Sequence, residues 1–301
     1  MAAVGHVPAP GGPVAATPEP DQQRRGLTGY LLMVPGSVWL LLFFLVPTFT
    51  LVASSLYDPA GSIATGYPMT WAFSNYTDMI SEYGGTFVRS FLYALAATIA
   101  CVLLGFPLAY AIAFKAGKYR NLMLVAVIAP FFTSFLIRTL SWKLLLGDTS
   151  FLVDALNAVP FVDGVRLLAT PFAVITGLTY NFLPFMVLPL YASLEKVDPR
   201  LMEAGQDLYA SPFQTFRLVT LPLALPGLVA GTLLTFIPAA GDYINSELLG
   251  NPRTRMVGNE IQDLFAAGAL PTAAAMSVSL MVIIVAMVLV YVRRAGTEDL
   301  V

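Results

Sequence analysis

LVTLPLALPGLVAGTLLTFIPAAG, residues 218–241, runs for 24 residues without a charged side chain. A helix needs about 20 residues, at 1.5 Å of rise each, to cross roughly 30 Å of hydrocarbon. Backbone groups in lipid must be satisfied within the segment, so a run of this length reads as a spanning helix. Five other uncharged runs share the pattern, at 26–57, 91–114, 121–137, 167–194 and 264–292. The shortest, 121–137, extends through Thr139–Trp142 past a single charge, Arg138. The reading is therefore an all-α, polytopic membrane bundle. It has six transmembrane helices, near 30–55, 88–114, 121–142, 170–192, 219–241 and 272–292.

Composition agrees. Of 301 residues, 57% are apolar and 11% charged, against about 25% charged in an average soluble domain. Net charge is −2, which offers no basic excess for nucleic acid. The lone cysteine, Cys101, cannot form an internal disulfide, and with His6 the lone histidine no Cys/His metal cluster exists. Cys101 lies in an apolar run and reads as a small core residue.

Residues 1–25 and 295–301 read as tails, the first disordered and rich in Pro, Gly and Ala. It ends in Arg24-Arg25, and the run behind it is too long for a signal-peptide core. Placing the N-terminus inside puts ten of sixteen basic residues on the inner face: Arg24, Arg25, Lys115, Lys118, Arg120, Lys196, Arg200, Arg217, Arg293 and Arg294. Ten of eighteen acids, Asp163 among them, then fall outside. Both termini are thus expected in the cytoplasm, and the outer face is mildly acidic.

Prolines interrupt the spans at Pro35, Pro47, Pro107, Pro130, Pro184, Pro189, Pro226 and Pro238. Each removes a helix hydrogen bond and favours a kink. Gly227 and Gly231 form a small-xxx-small pair suited to close helix packing. Arg138, near the outer end of its span, is expected to make a structural ion pair or backbone contact rather than line a cation path. No G-x-x-x-x-G-K-[ST], G-x-S-x-G or H-E-x-x-H is present, so neither a nucleotide-binding P-loop nor those catalytic constellations are expected.

Between the fourth and fifth spans lies a loop too polar to cross lipid: 195–222, EKVDPRLMEAGQDLYASPFQTFRLVTLP. Asp198 can cap a short helix with Pro199 at its first position. Leu201, Ala204 and Leu208, then Phe213 and Phe216, fall at helical spacing. A short amphipathic helix here needs a membrane surface or a partner protein for its apolar face.

This loop resembles the "EAA" loop of ABC importer permeases, E-A-A-x3-G-x9-I-x-L-P. Glu203, Ala204, Leu221 and Pro222 match, and Val219 stands for Ile. Gly205 replaces the second Ala, and Tyr209 replaces the Gly. Glycine there marks a turn with positive φ; either the turn differs in this chain or the surface that receives the loop accommodates a ring. Residues 181–191, 194–196, 134–138, 238–242 and 258–259 resemble the spermidine/putrescine permease branch, a likeness extending over roughly 30–292.

The resemblance implies a permease subunit, itself not an enzyme, in the bacterial cytoplasmic membrane. It implies a coupling helix that docks on an ATPase subunit, with Glu203, Ala204, Gly205, Asp207, Leu221 and Pro222 in the coupling loop. It further implies two ATPase copies carrying the Mg-ATP, a second permease subunit and an external binding protein, with no cofactor or metal in this chain.

A polyamine path needs carboxylates, carbonyls and aromatic faces. Asp242, Tyr243 and Glu247 are candidates for the outer mouth, and Tyr180 and Asn181 for the middle of the fourth span, where they face the path or bond a neighbouring helix. Neutralising Asp242 is expected to raise the apparent KM for polyamine. The alternatives are an ABC permease for another solute (iron(III), thiamine, sulfate or a sugar) and an ion-coupled secondary transporter. The last is disfavoured by the near absence of ionisable residues in the spans.

Overall fold

The computed structural model describes residues 27–158, 164 and 166–295. The expected tails, apart from Ala295, lie outside the described residues, as do His6 and Asp163. The chain divides into two units, one ending at Phe49 and the other beginning at Thr50.

The first unit is built on α1 (Leu27–Leu40), which contains Pro35, and a π-turn, Leu41–Leu45, that leads into α2 (Val46–Ser54). The π-turn sits where proline chemistry demands it. The ring of Pro47 would collide with the carbonyl four residues back, at Phe43, and widening the backbone there relieves the clash. The same device recurs before Pro222, where residues Phe216–Thr220 form a π-turn containing Leu218.

In the second unit, α3 (Ser74–Tyr110) is followed by a π-turn and α4 (Arg120–Ile128). Next come α5 (Phe135–Leu145), α6 (Phe151–Asn157) and α7 (Pro171–Leu194). Two short helices follow, α8 (Pro199–Asp207) and α9 (Pro212–Thr215), then α10 (Leu221–Ala240), α11 (Ile244–Leu249), α12 (Val257–Ala266) and α13 (Leu270–Ala295). Among the described residues there is no strand, only isolated bridges at Tyr57–Met69 and Ser62–Gly66.

Five helical stretches are long and apolar enough to cross a membrane: Leu32–Ser54, Ser74–Lys115, Pro171–Leu194, Pro212–Ala240 and Leu270–Arg294. A sixth is present if Gly117–Phe132 and Phe135–Leu145, bent by 95°, count as one. The expected span at 121–142 is therefore broken rather than straight. Pro130 opens a 3-10 turn at Ala129–Phe132, and Thr133 is extended (φ −99°, ψ 150°) before Phe135 restarts the helix. The second span also begins earlier than expected, at Ser74 rather than near 88. Its first turns carry Asp78 and Glu82, so hydropathy excludes them. They are nonetheless helical because Met79 and Phe87 pack on Val257 of α12 and Met276 of α13.

α7 is the axis of this unit. Of its most apolar stretch 61% is buried, against 33% for α10 and 28% for α3. Near one end Met186, Val187, Leu190 and Leu194 meet Cys101, Phe106, Ala109 and Ile112 along with Ala224. Near the other, Val174, Leu178 and Phe182 meet Ala94, Ala97, Ala239 and Ala240. Small residues permit the approach. A Cβ built on Gly227 would lie 2.4 Å from the Pro189 carbonyl oxygen, and one on Gly231 2.9 Å from Met186 Sδ. The pair is structural, as its spacing predicts. Cys101 is fully buried, its Sγ 3.4 Å from the Thr179 carbonyl.

Candidate functional site: the 195–222 loop and a buried polar cluster

The loop between α7 and α10 is anchored at both ends. Arg120, at the start of α4, pairs with Glu195 and donates to the Tyr191 hydroxyl, with its guanidinium 5.0 Å over the Tyr191 ring. Asp198 Oδ1 accepts the Arg200 N–H at 2.9 Å, capping α8 with Pro199 at its first position. Tyr110 Oη lies 4.0 Å from Met202 Sδ, so one face of α8 rests on α3.

The other face is open. Leu201 is 47% exposed and Leu208 81%, and Ala204, Glu203 and Asp207 are exposed too. Phe213 is likewise turned out, whereas Phe216 packs edge-on against Phe106 at 5.3 Å. The Leu201, Ala204, Leu208 stripe read from the sequence thus finds no cover among the described residues, and two carboxylates one turn apart lie on the same helix.

Of the two departures from the loop pattern, one has a local cause and the other leaves a left-handed turn in place. Gly205 faces Thr215: an added Cβ would lie 3.2 Å from Thr215 Oγ1 and 3.3 Å from its methyl. The threonine fills the space an alanine would need. At Tyr209 the turn is unaltered. Its φ is +61°, and the Ala210 N–H donates to the Gly205 carbonyl at 3.1 Å, closing α8 with a Schellman turn. A left-handed backbone costs a residue with a Cβ about 1–2 kcal/mol, so this turn retains the glycine-type conformation with a tyrosine in it. Ser211 then starts α9 with a capping box, its hydroxyl accepting from Gln214 N at 3.3 Å and its own N–H donating to Gln214 Oε1 at 2.8 Å.

Leu221 and Pro222 open α10. Counted from Pro212, that helix has 29 residues, about 43 Å at 1.5 Å each. That exceeds a bilayer core, so its first turns belong with the loop.

At the other end of α10 lies a buried polar cluster. Asp242 is 8% exposed; its Oδ1 accepts the Asn245 N–H at 2.8 Å, holding the first turn of α11. Burial pushes the Asp242 carboxyl up to about 6, opposed by its bonds to Asn245. Asn181 is 1% exposed and donates through Nδ2 to Thr139 Oγ1 at 3.1 Å and to Asn245 Oδ1 at 3.0 Å. It therefore ties α5, α7 and α11 together. Asn259 links α12 to α11: its Nδ2 donates to the Tyr243 carbonyl at 3.0 Å and to Glu247 Oε2 at 3.1 Å, and its Oδ1 accepts from Ser246.

Tyr243 and Glu247 are exposed. Tyr243 lines a cleft of about 530 Å³ with Gly241, Gly258, Gln262 and Phe265. Tyr180 stacks edge-on with Trp142 at 5.3 Å and lines a separate cleft of about 310 Å³ with Pro130 and Pro184. Asn245 and Thr139 escape sequence reading because each is a single polar residue whose partners are distant in the chain.

Arg138 departs from expectation. It is 7% exposed, and its Nε and Nη1 have no partner among the described residues. Its guanidinium lies over the rings of Phe131 at 5.2 Å and Phe135 at 5.6 Å. Among the described residues the guanidinium meets aromatic faces, and neither an ion pair nor a backbone carbonyl reaches its Nε or Nη1.

Residues 90–295 match the family described as "binding-protein-dependent transport system inner membrane component". The spermidine/putrescine transport system permease protein PotB of Haemophilus influenzae is 39% identical over 258 residues, which cover 85% of this chain and 90% of that protein. Its counterpart in Escherichia coli is 38% identical over 262 residues, covering 85% and 94%. A chain of a bacterial ABC transporter that imports the acidic polysaccharide alginate shares the fold, with a TM-score of 0.67 at 19% identity over 90% of this chain and 96% of that one. An all-α fold with five to six membrane-crossing helices, a loop matching the permease pattern and a family match from α3 through α13 agree: the chain belongs to the binding-protein-dependent transport system inner membrane component family.

Proposed function

We propose that this chain is the permease subunit of an ATP-driven importer and that its cargo is a polyamine. The observation that carries the ATP-driven part is the open face of α8, where Leu201, Ala204 and Leu208 lie exposed beside Glu203 and Asp207. An apolar stripe with carboxylates to one side of it fits an apolar groove with basic groups along one edge, as an ATPase subunit would present it. In this reading the loop and both termini are cytoplasmic, consistent with ten of sixteen basic residues on that side. Two ATPase copies hold the Mg-ATP, and nucleotide biases a bundle with two arrangements. A second permease subunit completes the path, and an external protein delivers the solute.

The polyamine assignment rests on the named function of the two relatives and on the outer cluster. Tyr243 and Glu247 offer an aromatic face and a carboxylate to an ammonium group at the mouth. Asp242 and Asn181 support them from beneath by holding α11, and Tyr180 lines the path further along. ATP-dependent uptake of labelled spermidine, compared in cells with and without the gene, tests the assignment. Loss of uptake on deletion is the expected outcome. Unchanged uptake in cells with no other polyamine importer overturns the cargo and leaves the family assignment in place.

A further inference from the structure

We propose that Tyr209 is a specificity residue of the coupling loop, and that its ring enters an apolar recess, rimmed by basic groups, on the ATPase subunit that serves this chain. The inference rests on the reading of α8 as the docking element.

Tyr209 has a left-handed backbone, φ +61°, which glycine adopts freely and a residue with a Cβ adopts under strain. Its side chain is 98% exposed, so burial of the ring among the described residues does not offset that strain. Inside a folded chain, strain of this sort persists where the surroundings over-determine it, and it concentrates at binding sites and switch regions. Here the surroundings do so. The Ala210 N–H to Gly205 carbonyl bond closes the turn on one side, and the Ser211–Gln214 capping box begins the next helix on the other. The turn is held, so the ring projects from a fixed base rather than from a wandering loop.

Its neighbours extend the surface. Leu208 is 81% exposed and Phe213 70%, so with Tyr209 three large apolar side chains stand open where α8 ends and α9 begins. Glu203 and Asp207 lie alongside on the same helix. With Arg200, Glu203 and Asp207 all exposed, α8 keeps a net negative charge, and this assigns the occupant: a surface with an apolar recess and cationic edges, continuous with the groove that takes the Leu201, Ala204, Leu208 stripe. A bilayer surface matches less well, because two carboxylates on the same helix would be driven against anionic headgroups. A rigid aromatic ring in a desolvated pocket is the usual form of an interface anchor.

The test uses the permease assembled with its partner permease in nanodiscs and, as probe, the purified ATPase subunit of the same cell's polyamine importer. Dissociation constants are measured for wild type, Tyr209→Phe, Tyr209→Asn and Tyr209→Gly. Asn and Gly relieve the backbone strain while removing the ring; Phe keeps both. The expected result is Phe within twofold of wild type and Asn and Gly at least tenfold weaker, with thermal unfolding of the ATPase-free variants at or above wild type. Binding by Asn or Gly as tight as wild type overturns the inference, as does a loss in Phe equal to that in Gly. Failure of the wild type itself to bind the ATPase sinks instead the docking role of α8, which separates the two conclusions.

Discussion

Replacing Gly227 by alanine probes the closest approach of α7 and α10. α7 and α10 meet there, and the new Cβ would lie 2.4 Å from the Pro189 carbonyl oxygen, 2.6 Å from Ser193 Oγ and 2.8 Å from Ser193 Cβ. Ordinary contact begins near 3.4 Å, so the helices must part by about 1 Å. A backbone carbonyl cannot swing aside as a side chain does. Overpacking costs about 1–3 kcal/mol, and this site belongs at the upper end. Gly231→Ala is the internal comparison. Its nearest obstacle is Met186 Sδ at 2.9 Å, the end of a flexible side chain, ahead of the Met186 carbonyl at 3.1 Å. It should cost about 1 kcal/mol. At roughly 2–4 °C per kcal/mol, Gly227→Ala should lower the midpoint of thermal unfolding by about 6–12 °C and Gly231→Ala by about 2–4 °C. The assay is tryptophan fluorescence of the purified protein in detergent. Adding Ser193→Gly to Gly227→Ala removes two of the three obstructing atoms and should restore part of the loss, since the carbonyl remains. A Gly227→Ala protein that unfolds with the wild type, or a larger shift at Gly231, would refute the packing argument.

Two further perturbations address the loop and the buried polar cluster. Glu203→Arg reverses one exposed charge on α8 and should cut ATP-dependent uptake at least tenfold at normal membrane level, about the effect of losing 1.4 kcal/mol of docking; full uptake with normal expression removes Glu203 from the docking face. Asp242→Asn should abolish a pH dependence of stability. The folded-state value of Asp242, about 6, lies above the ordinary 3.8, so between those values the folded chain holds more protons than the unfolded one. Wild-type stability should therefore rise as pH falls from 7 toward 4, by about 3 kcal/mol at most. Asparagine keeps the oxygen that accepts from Asn245 and has no proton to lose, so its unfolding midpoint should not show this rise. Parallel profiles for the two proteins would count against the burial of that carboxylate.

The spans and the loop were legible because both are written in consecutive residues. An uncharged run of 24 residues at 218–241 must satisfy its own backbone in lipid wherever its neighbours lie. The Asp198-Pro199 start of α8 is local chemistry too, completed within a few residues. The bend after Pro130, the early start of α3 at Ser74 and the burial of Asp242 and Asn181 were settled elsewhere. Each depends on which side chains meet across the bundle: Met79 and Phe87 on α12 and α13, Asn181 on Asn245, the Arg138 guanidinium on two phenylalanine rings. Hydropathy adds up residues along the chain and contains no term for the direction each side chain faces, and in spans that are apolar on every side the helical periodicity that would reveal direction is weak. Tyr209 shows the division at one residue. Sequence alone marked it as out of pattern. That it keeps the left-handed turn and leaves its ring in the open was decided by the backbone bonds that close α8 and the hydroxyl that begins α9.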